Sequence, residues 1–361
     1  MEKMEIKKRL INKKFWQGKK ILITGHTGFK GSWLSIWLKM MGADLYGYAL
    51  TPPTKPSLFE EAKIANGMTS VVGDIRDYNK LQNFVLKCKP QIVIHLAAQP
   101  LVRNSYNFPL ETYDVNVMGT VNILEAVRNS NSVKAFINVT SDKCYDNNEI
   151  SRGYQENDPM GGHDPYSSSK GCSELITSAY RRSFYKSQKI NLASARGGNV
   201  IGGGDWSTDR LIPDVLRAFE NNKPVIIRNP NSTRPWQHVL DVLSGYLLLS
   251  KKLYENDENF SSAWNFGPKN QDAKTVKWIV EYMINKWKKA PGWIEDRLYN
   301  PHEANYLKLD ISKARSLLDW EPIWNLEQSL EKVIEWHKNW LERKNIQNIC
   351  EEQINIYSNL K

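Results

Sequence analysis

Ser141-Asp142-Lys143 follows an apolar run at 135–139, and Tyr166-Ser167-Ser168-Ser169-Lys170 comes about one loop later. A tyrosine and a lysine four apart share one face of a helix. A free phenol titrates near ~10, too high for a base at neutral pH, but a neighbouring ammonium favours the phenolate. Such a pair can take the proton from an alcohol as it is oxidised. The acid and amine of Asp142-Lys143 can remove the elements of water. Together the two strings read as dehydration through a transient ketone.

Both strings need a scaffold that holds them against one ligand. Residues 20–24 read as a strand, the glycine-rich turn 25–31 follows, and Trp33, Leu34, Trp37 and Leu38 then keep helical spacing. Similar apolar runs recur at 45–50, 69–72, 92–96, 135–139 and 190–195, separated by helix-length segments. This alternation predicts an α/β fold, a Rossmann-type doubly wound parallel sheet with helices on both faces. Asp164-Pro165 reads as the start of the Tyr166 helix, with Asp as N-cap and Pro in the first turn. After Arg196 the texture changes to Gly197-Gly198, Gly202-Gly203-Gly204 and loops containing Pro and Trp. A smaller α/β C-terminal substrate lobe is expected there, with a return to the first lobe around 239–253. The expected division is 1–198 and 237–266 for a dinucleotide-binding domain, 199–236 and 267–350 for the second lobe, and 351–361 for a tail. Helical periodicity runs on from 325, and the last residues are expected to be disordered.

Composition narrows the class. A chain of 361 residues with 41% hydrophobic content can bury a large core. Its mean hydropathy of −0.54 and the lack of a long uncharged apolar run argue against a membrane span. Residues 1–20 carry eight Lys/Arg but no apolar core or cleavage site of a secretory signal, so cytoplasmic residence is expected. Cys88, Cys144, Cys172 and Cys350 are far apart and form no CxxC pair, so neither a metal site nor a disulfide framework is expected. A net charge of +10 raises the question of an anionic partner. The basic residues are spread along the chain, which speaks for a solvated surface and against nucleic acid.

The turn Gly25-His26-Thr27-Gly28-Phe29-Lys30-Gly31 joins a first strand to a first helix. Glycine there permits a tight bend and close approach to a pyrophosphate, and the helix N-terminus adds amides and a favourable dipole. After the second strand come Thr51, Pro52 and Pro53, with neither an acid for an NAD ribose nor an Arg for a 2′-phosphate. The choice between NAD and NADP stays open on the residues alone. The third strand leads into Gly73-Asp74-Ile75-Arg76-Asp77, where Asp74 can accept from an adenine amine. The fourth leads into His95-Leu96-Ala97-Ala98-Gln99, where small residues let a ligand lie against the backbone. His95 reads equally as a structural histidine or a ligand contact.

The glycines at 25, 28 and 31 with Tyr166-x-x-x-Lys170 resemble the extended short-chain dehydrogenase/reductase superfamily over roughly 19–324. Within it, the strings 26–33, 95–103, 116–120, 140–145 and 202–206 are similar to the CDP-glucose 4,6-dehydratase family. The resemblance implies NAD as cofactor, held by Gly25, Thr27, Gly28, Phe29, Lys30, Gly31, Asp74, Ile75, Leu96, Ala97, Ala98, Gln99, Tyr166 and Lys170. It implies CDP-glucose as substrate; nothing else in the chain selects cytosine. Ser141 would hydrogen-bond the oxygen at C4 while Tyr166, supported by Lys170, takes its proton. Asp142 would protonate the departing C6 hydroxyl, and Lys143 would abstract the C5 proton. Related dTDP-glucose enzymes carry Glu at the position of Lys143; an amine, unlike a carboxylate, must first shed a proton. Arg103, Ser141, Asn199, Arg210, Arg234, His302 and Tyr306 are the substrate-binding residues that the resemblance implies. Gly197 stands where the family more often has Ala. A homodimer through the helices at 116–128 and 166–185, and a deoxysugar pathway serving a surface polysaccharide such as O-antigen lipopolysaccharide, are further implications. Another NAD-dependent nucleotide-sugar dehydratase, or a nucleotide-sugar 4-epimerase, which has no use for Asp142 or Lys143, is the nearest alternative. A non-catalytic nucleotide- or RNA-binding relative is a more distant one.

Overall fold

Alternating side chains build the first lobe from both sides of a single sheet. A computed structural model describes residues 13–255, 258–288, 290–296 and 306–359. Its parallel strands are β1 (Lys20–Thr24), β2 (Asp44–Ala49), β3 (Thr69–Val72), β4 (Ile92–His95), β5 (Ala135–Val139) and β6 (Asn191–Arg196). The order is 3-2-1-4-5-6, and Ala263–Asn265 pairs with β6 as a seventh strand. The doubly wound parallel sheet is therefore as expected, within a residue or so at each strand end. The seventh strand was not foreseen.

Successive residues of a strand face opposite ways. Ile21, Ile23, Ile92, Ile94 and Ile137 enter one core, with the helices Phe29–Met40 and Val239–Tyr254. Leu22, Val93, Phe136 and Leu192 enter the other, with Tyr78–Cys88 and Gly119–Arg128. A sheet covered on both faces explains the unbroken apolar runs at 21–23, 92–94 and 135–137 in its central strands.

Past Gly197 the chain forms short two-stranded ribbons: 200–201 with 237–238, 233–235 with 273–275, and 225–227 with 293–295. The helices Leu211–Glu220, Val276–Trp287 and Leu326–Leu341 pack around Ile212, Val215, Ile279, Met283 and Leu330 as a separate core. Residues 346–359, most of them expected as tail, form a helix that returns to the first lobe. Cys350, Ile354 and Tyr357 are buried there, Tyr357 edge-on to Trp37 with its hydroxyl donating to Asp241 Oδ1 at 2.7 Å. Among the described residues no helix is long and apolar enough to cross a membrane.

Candidate active site

The glycine turn lies where the sheet order reverses, between β1 and β4, where open α/β sheets bind their ligands. Gly25 has φ +74°, and a Cβ on it would lie 2.7 Å from the Ala97 amide nitrogen. One on Gly31 would lie 2.2 Å from the Gly25 carbonyl oxygen. Side chains are therefore excluded from both positions. The helix Phe29–Met40 starts after Gly28 with no side-chain cap, which leaves its first amides to an external anion. This cradle fits a dinucleotide's pyrophosphate.

Several neighbours fix the cradle's walls. Thr24 Oγ1 is 2.6 Å from His95 Nδ1 and accepts from the Ala97 amide at 3.3 Å. Burial pushes His95 down to about 3 and His26 to about 4, so both rings are neutral. His95 is thus a buried structural partner of Thr24. Thr27 Oγ1 donates to the Leu50 carbonyl at 2.9 Å, tying the turn to the end of β2. Gln99 turns its side chain inward: its oxygen accepts from the Leu101 amide at 2.6 Å, and its Nε2 donates to Thr112 Oγ1 at 3.0 Å. Asp74 receives Arg76 Nη2 at 2.6 Å and Nε at 3.0 Å, a local pair that the Asp-x-Arg spacing already allowed. Ile75 is buried against Gly119, where a Cβ would meet its Cγ2 at 2.6 Å.

The two reactive strings converge from β5 and the helix Pro165–Tyr180. Asp164 caps that helix, accepting from the Ser167 amide at 2.9 Å, and Pro165 takes the first turn. Tyr166 and Lys170 are both buried on its inner face. Ser141 caps the short turn Asp142–Cys144; its Oγ accepts from the Lys143 amide at 3.2 Å and donates to Asp142 Oδ1 at 3.0 Å. Lys143 is half-buried and lines the same cleft.

Burial dominates the electrostatics. It raises the Asp142 carboxyl, against the pull of Lys143, the Ser141 hydrogen bond and Arg234. It raises Tyr166 to about 12, with the hydrogen bond to Ser141 pulling the other way. It lowers Lys170 to about 8, opposed by Cys144 and Glu174. Lys30 falls to about 7, through burial first and then through repulsion from Lys170 and Arg210, with Asp142 opposing. Lys30 lines the cleft together with Asp142, Tyr166 and Arg210, a position that its place in a glycine turn did not reveal.

Opposite stands the second lobe, across a cleft of about 310 Å³. Arg103, Asn199, Arg210 and Arg234 all line it with Ser141, Asp142, Lys143 and Tyr166. Asn199 has φ +48° and holds the Gln237 amide on its carbonyl at 3.3 Å. Arg210 donates to Asp205 Oδ2 at 3.0 Å. Arg103 is 3.7 Å from Asp209 Oδ1, which Arg228 also contacts at 3.1 Å. Tyr306 is placed differently: its hydroxyl donates to the Ser151 carbonyl at 3.1 Å, and it is not among the residues lining the cleft. His302 lies outside the described residues. Among those described, no cluster of three or more His, Cys, Asp or Glu could hold a metal.

Sequence reasoning missed Asp205, Asp209 and Arg228, which reach the cleft from short elements without periodicity. It also missed Gly198, where a Cβ would lie 1.7 Å from Asp142 Oδ2. The departure noted at Gly197 sits one residue away from that contact.

Known proteins align with this arrangement along nearly its whole length. The family model described as GDP-mannose 4,6 dehydratase matches residues 22–333. CDP-glucose 4,6-dehydratase of Salmonella typhimurium is 55% identical over 353 residues, 96% of this chain and 98% of that protein. dTDP-D-glucose 4,6-dehydratase of Dictyostelium discoideum is 28% identical over 89% of this chain and 82% of its own. The structure of the epimerase Mth375 from Methanothermobacter thermautotrophicus superposes with a TM-score of 0.78 at 25% identity, covering 91% of this chain and 95% of that one. With a family model spanning both lobes and a relative identical at more than half of the aligned positions, the chain belongs to the GDP-mannose 4,6 dehydratase family of nucleotide-sugar dehydratases.

Proposed function

We propose that the protein is an NAD-dependent hydro-lyase that converts CDP-D-glucose to CDP-4-dehydro-6-deoxy-D-glucose and water. The observation that carries this reading is the buried Asp142, beside Lys143 and within one cleft of Tyr166. Tyr166 and Lys170 are a capability that epimerases share; an acid and a base aimed at the same sugar are what dehydration adds. The 55% identity to a CDP-glucose 4,6-dehydratase supports the choice of nucleotide.

NAD, when bound, supplies a positive charge that favours the Tyr166 phenolate and the chemistry of taking a hydride from C4 and returning it to C6. Tyr166 accepts the proton of the C4 hydroxyl, with Ser141 donating to that oxygen. Lys170, one turn along, stabilises the phenolate that a buried tyrosine would otherwise resist forming. The resulting C4 ketone acidifies C5–H, and Lys143 removes that proton once its own amine is neutral. Asp142, whose raised carboxyl keeps its proton to higher pH than a free one, delivers it to the leaving C6 hydroxyl. Arg103, Arg210 and Arg234 set the diphosphate across the cleft, as cations suited to bidentate phosphate contacts.

Incubation with CDP-glucose deuterated at C4 tests the reading. Deuterium should appear at C6 of a 4-keto product without net release of reduced cofactor. Retention at C4 with inverted configuration would identify an epimerase instead.

We further take the protein to be a cytoplasmic homodimer, one step in making a deoxysugar for a surface polysaccharide. Its four free cysteines fit a reducing compartment. Leu110 and Leu175 are 87% and 61% exposed, and Met118 and Phe184 are exposed with them, along the adjacent helical stretches 109–128 and 165–185. An apolar surface of this kind marks an interaction site. Leu175→Glu should give a monomer in sedimentation; a dimer that persists would remove these helices from the interface.

A further inference from the structure

Beneath the cleft, a buried ion pair joins the two reactive strings. Glu174 lies one turn beyond Lys170 and two beyond Tyr166, on the same face of the same helix. Its Oε2 is 2.8 Å from Arg196 Nη2, and both side chains are only 4% exposed. Glu174 also accepts from Thr140 Oγ1 at 2.5 Å and from Ser194 Oγ at 2.7 Å. Thr140 immediately precedes Ser141. Arg196 turns its Nη1 the other way, to Tyr145 Oη at 2.7 Å and the Glu156 carbonyl at 2.9 Å, with its guanidinium over the Tyr145 ring at 4.9 Å. Tyr145 immediately follows the turn Asp142–Cys144, and its hydroxyl donates onward to Asn265 Oδ1 at 2.7 Å.

The pair thus grips both ends of the segment 140–145. Glu174 takes the entrance from the Tyr166 helix, and Arg196 takes the exit from the end of β6. Fold stability is a poor reason for such a pair, since desolvating two charges offsets most of their attraction, and apolar replacements of similar volume are often no worse. An apolar pair, however, could not accept from Thr140 and donate to Tyr145 in fixed directions. The carboxylate of Glu174 is held below its ordinary range although burial opposes this, because Arg196, Ser194 and Thr140 outweigh it. The group is therefore a permanent acceptor at neutral pH.

We propose that Glu174 and Arg196 are positioning residues that hold the Ser141-Asp142-Lys143 turn in register with Tyr166 and Lys170, so that the ketone formed beside one string is met by the acid and base of the other. Neither residue lines the cleft. The proposal rests on the dehydratase reading, so the wild-type protein must first yield the 4-keto-6-deoxy product; failure there refutes the reading and not the clamp.

Given that product, Thr140→Val removes one hydroxyl from the clamp at nearly constant volume, and Thr140→Ser keeps it. Misplacement of reacting groups by about an ångström can cost on the order of 100-fold. Thr140→Val should lower kcat about tenfold to 100-fold with KM for CDP-glucose within about threefold, the pattern of an interaction lost only in the transition state. In a single turnover, reduced cofactor should build up, because elimination lags oxidation. Thr140→Ser should restore kcat to within about threefold of wild type. Glu174→Gln should show the same lag; if it does not fold, the two Thr140 variants decide. The clamp is refuted if Thr140→Val slows oxidation and elimination equally, or changes only the melting temperature.

Discussion

Asp142→Asn is expected to oxidise its substrate and then stall. The side chain keeps its shape, so an acceptor for the Ser141 hydroxyl and the contact with Gly198 survive, but an amide has no acidic proton for the leaving C6 hydroxyl. General acid catalysis contributes roughly 10² to 10⁴-fold, so elimination should fall by at least about 100-fold. Reduced cofactor should then be visible in a single turnover. Tyr166→Phe should show the opposite, with little reduction of the cofactor at all, because the first proton has no acceptor. If both variants fail before any cofactor is reduced, the division of roles between the two strings is wrong.

The same substitution has a stability signature with a definite sign. Burial raises the folded Asp142 carboxyl above its unfolded value near ~3.9, so over that window the native state binds more protons than the unfolded one. Stability from this group is full below ~3.9 and is lost as pH rises through the raised value. At neutral pH the wild-type protein carries that penalty, and Asp142→Asn does not. Its melting temperature at pH 7 should therefore equal or exceed that of wild type. A marked fall would mean that the carboxylate is better paired than its surroundings indicate.

Gly198→Ala should be nearly as damaging without touching a reactive group. The added Cβ would lie 1.7 Å from Asp142 Oδ2 and 2.0 Å from its Cγ, so the carboxyl must leave its place. Forced overpacking of this kind costs about 1–3 kcal/mol, and the displaced acid should cost activity on the order of 100-fold. Gly197→Ala provides the contrast. Its Cβ would meet the end of the Val242 side chain at 3.0 Å and the Phe266 carbonyl at 3.2 Å, so shifts of a few tenths of an ångström suffice. Turnover of the Gly197 variant should stay within about threefold of wild type. Equal activity in the two variants would refute the packing account of Gly198.

These two positions also mark where local reading of the chain ends. The Tyr166 helix was legible because its cap, its proline and its four-residue spacing are neighbours in sequence. The turn at Asp142 was legible because it follows an apolar strand. Gly198 looks like loop texture, since what requires it is a side chain 56 residues earlier in the chain. Glu174 and Arg196 are 22 apart and meet only when β6 is laid beside β5. The strand Ala263–Asn265 has three residues, too few to show a period, and owes its existence to the edge that β6 offers. Asp205, Asp209 and Arg228 belong to the same class, fixed by tertiary contact with no pattern of their own.

The helix 346–359 imposes an order on biosynthesis. Its Tyr357 hydroxyl reaches Asp241 and Ser244, and Cys350 receives the indole N–H of Trp336 at 3.2 Å. The core that holds the glycine turn's helix thus includes residues translated well after every strand of the sheet. Ribosomes add about 5–20 residues per second, so the nucleotide-binding half waits, with one face incompletely covered, for many seconds after its own sheet strands have emerged. The first lobe therefore completes its core only after the segments of the second have emerged, and chaperone demand should fall on the early strands in the interval.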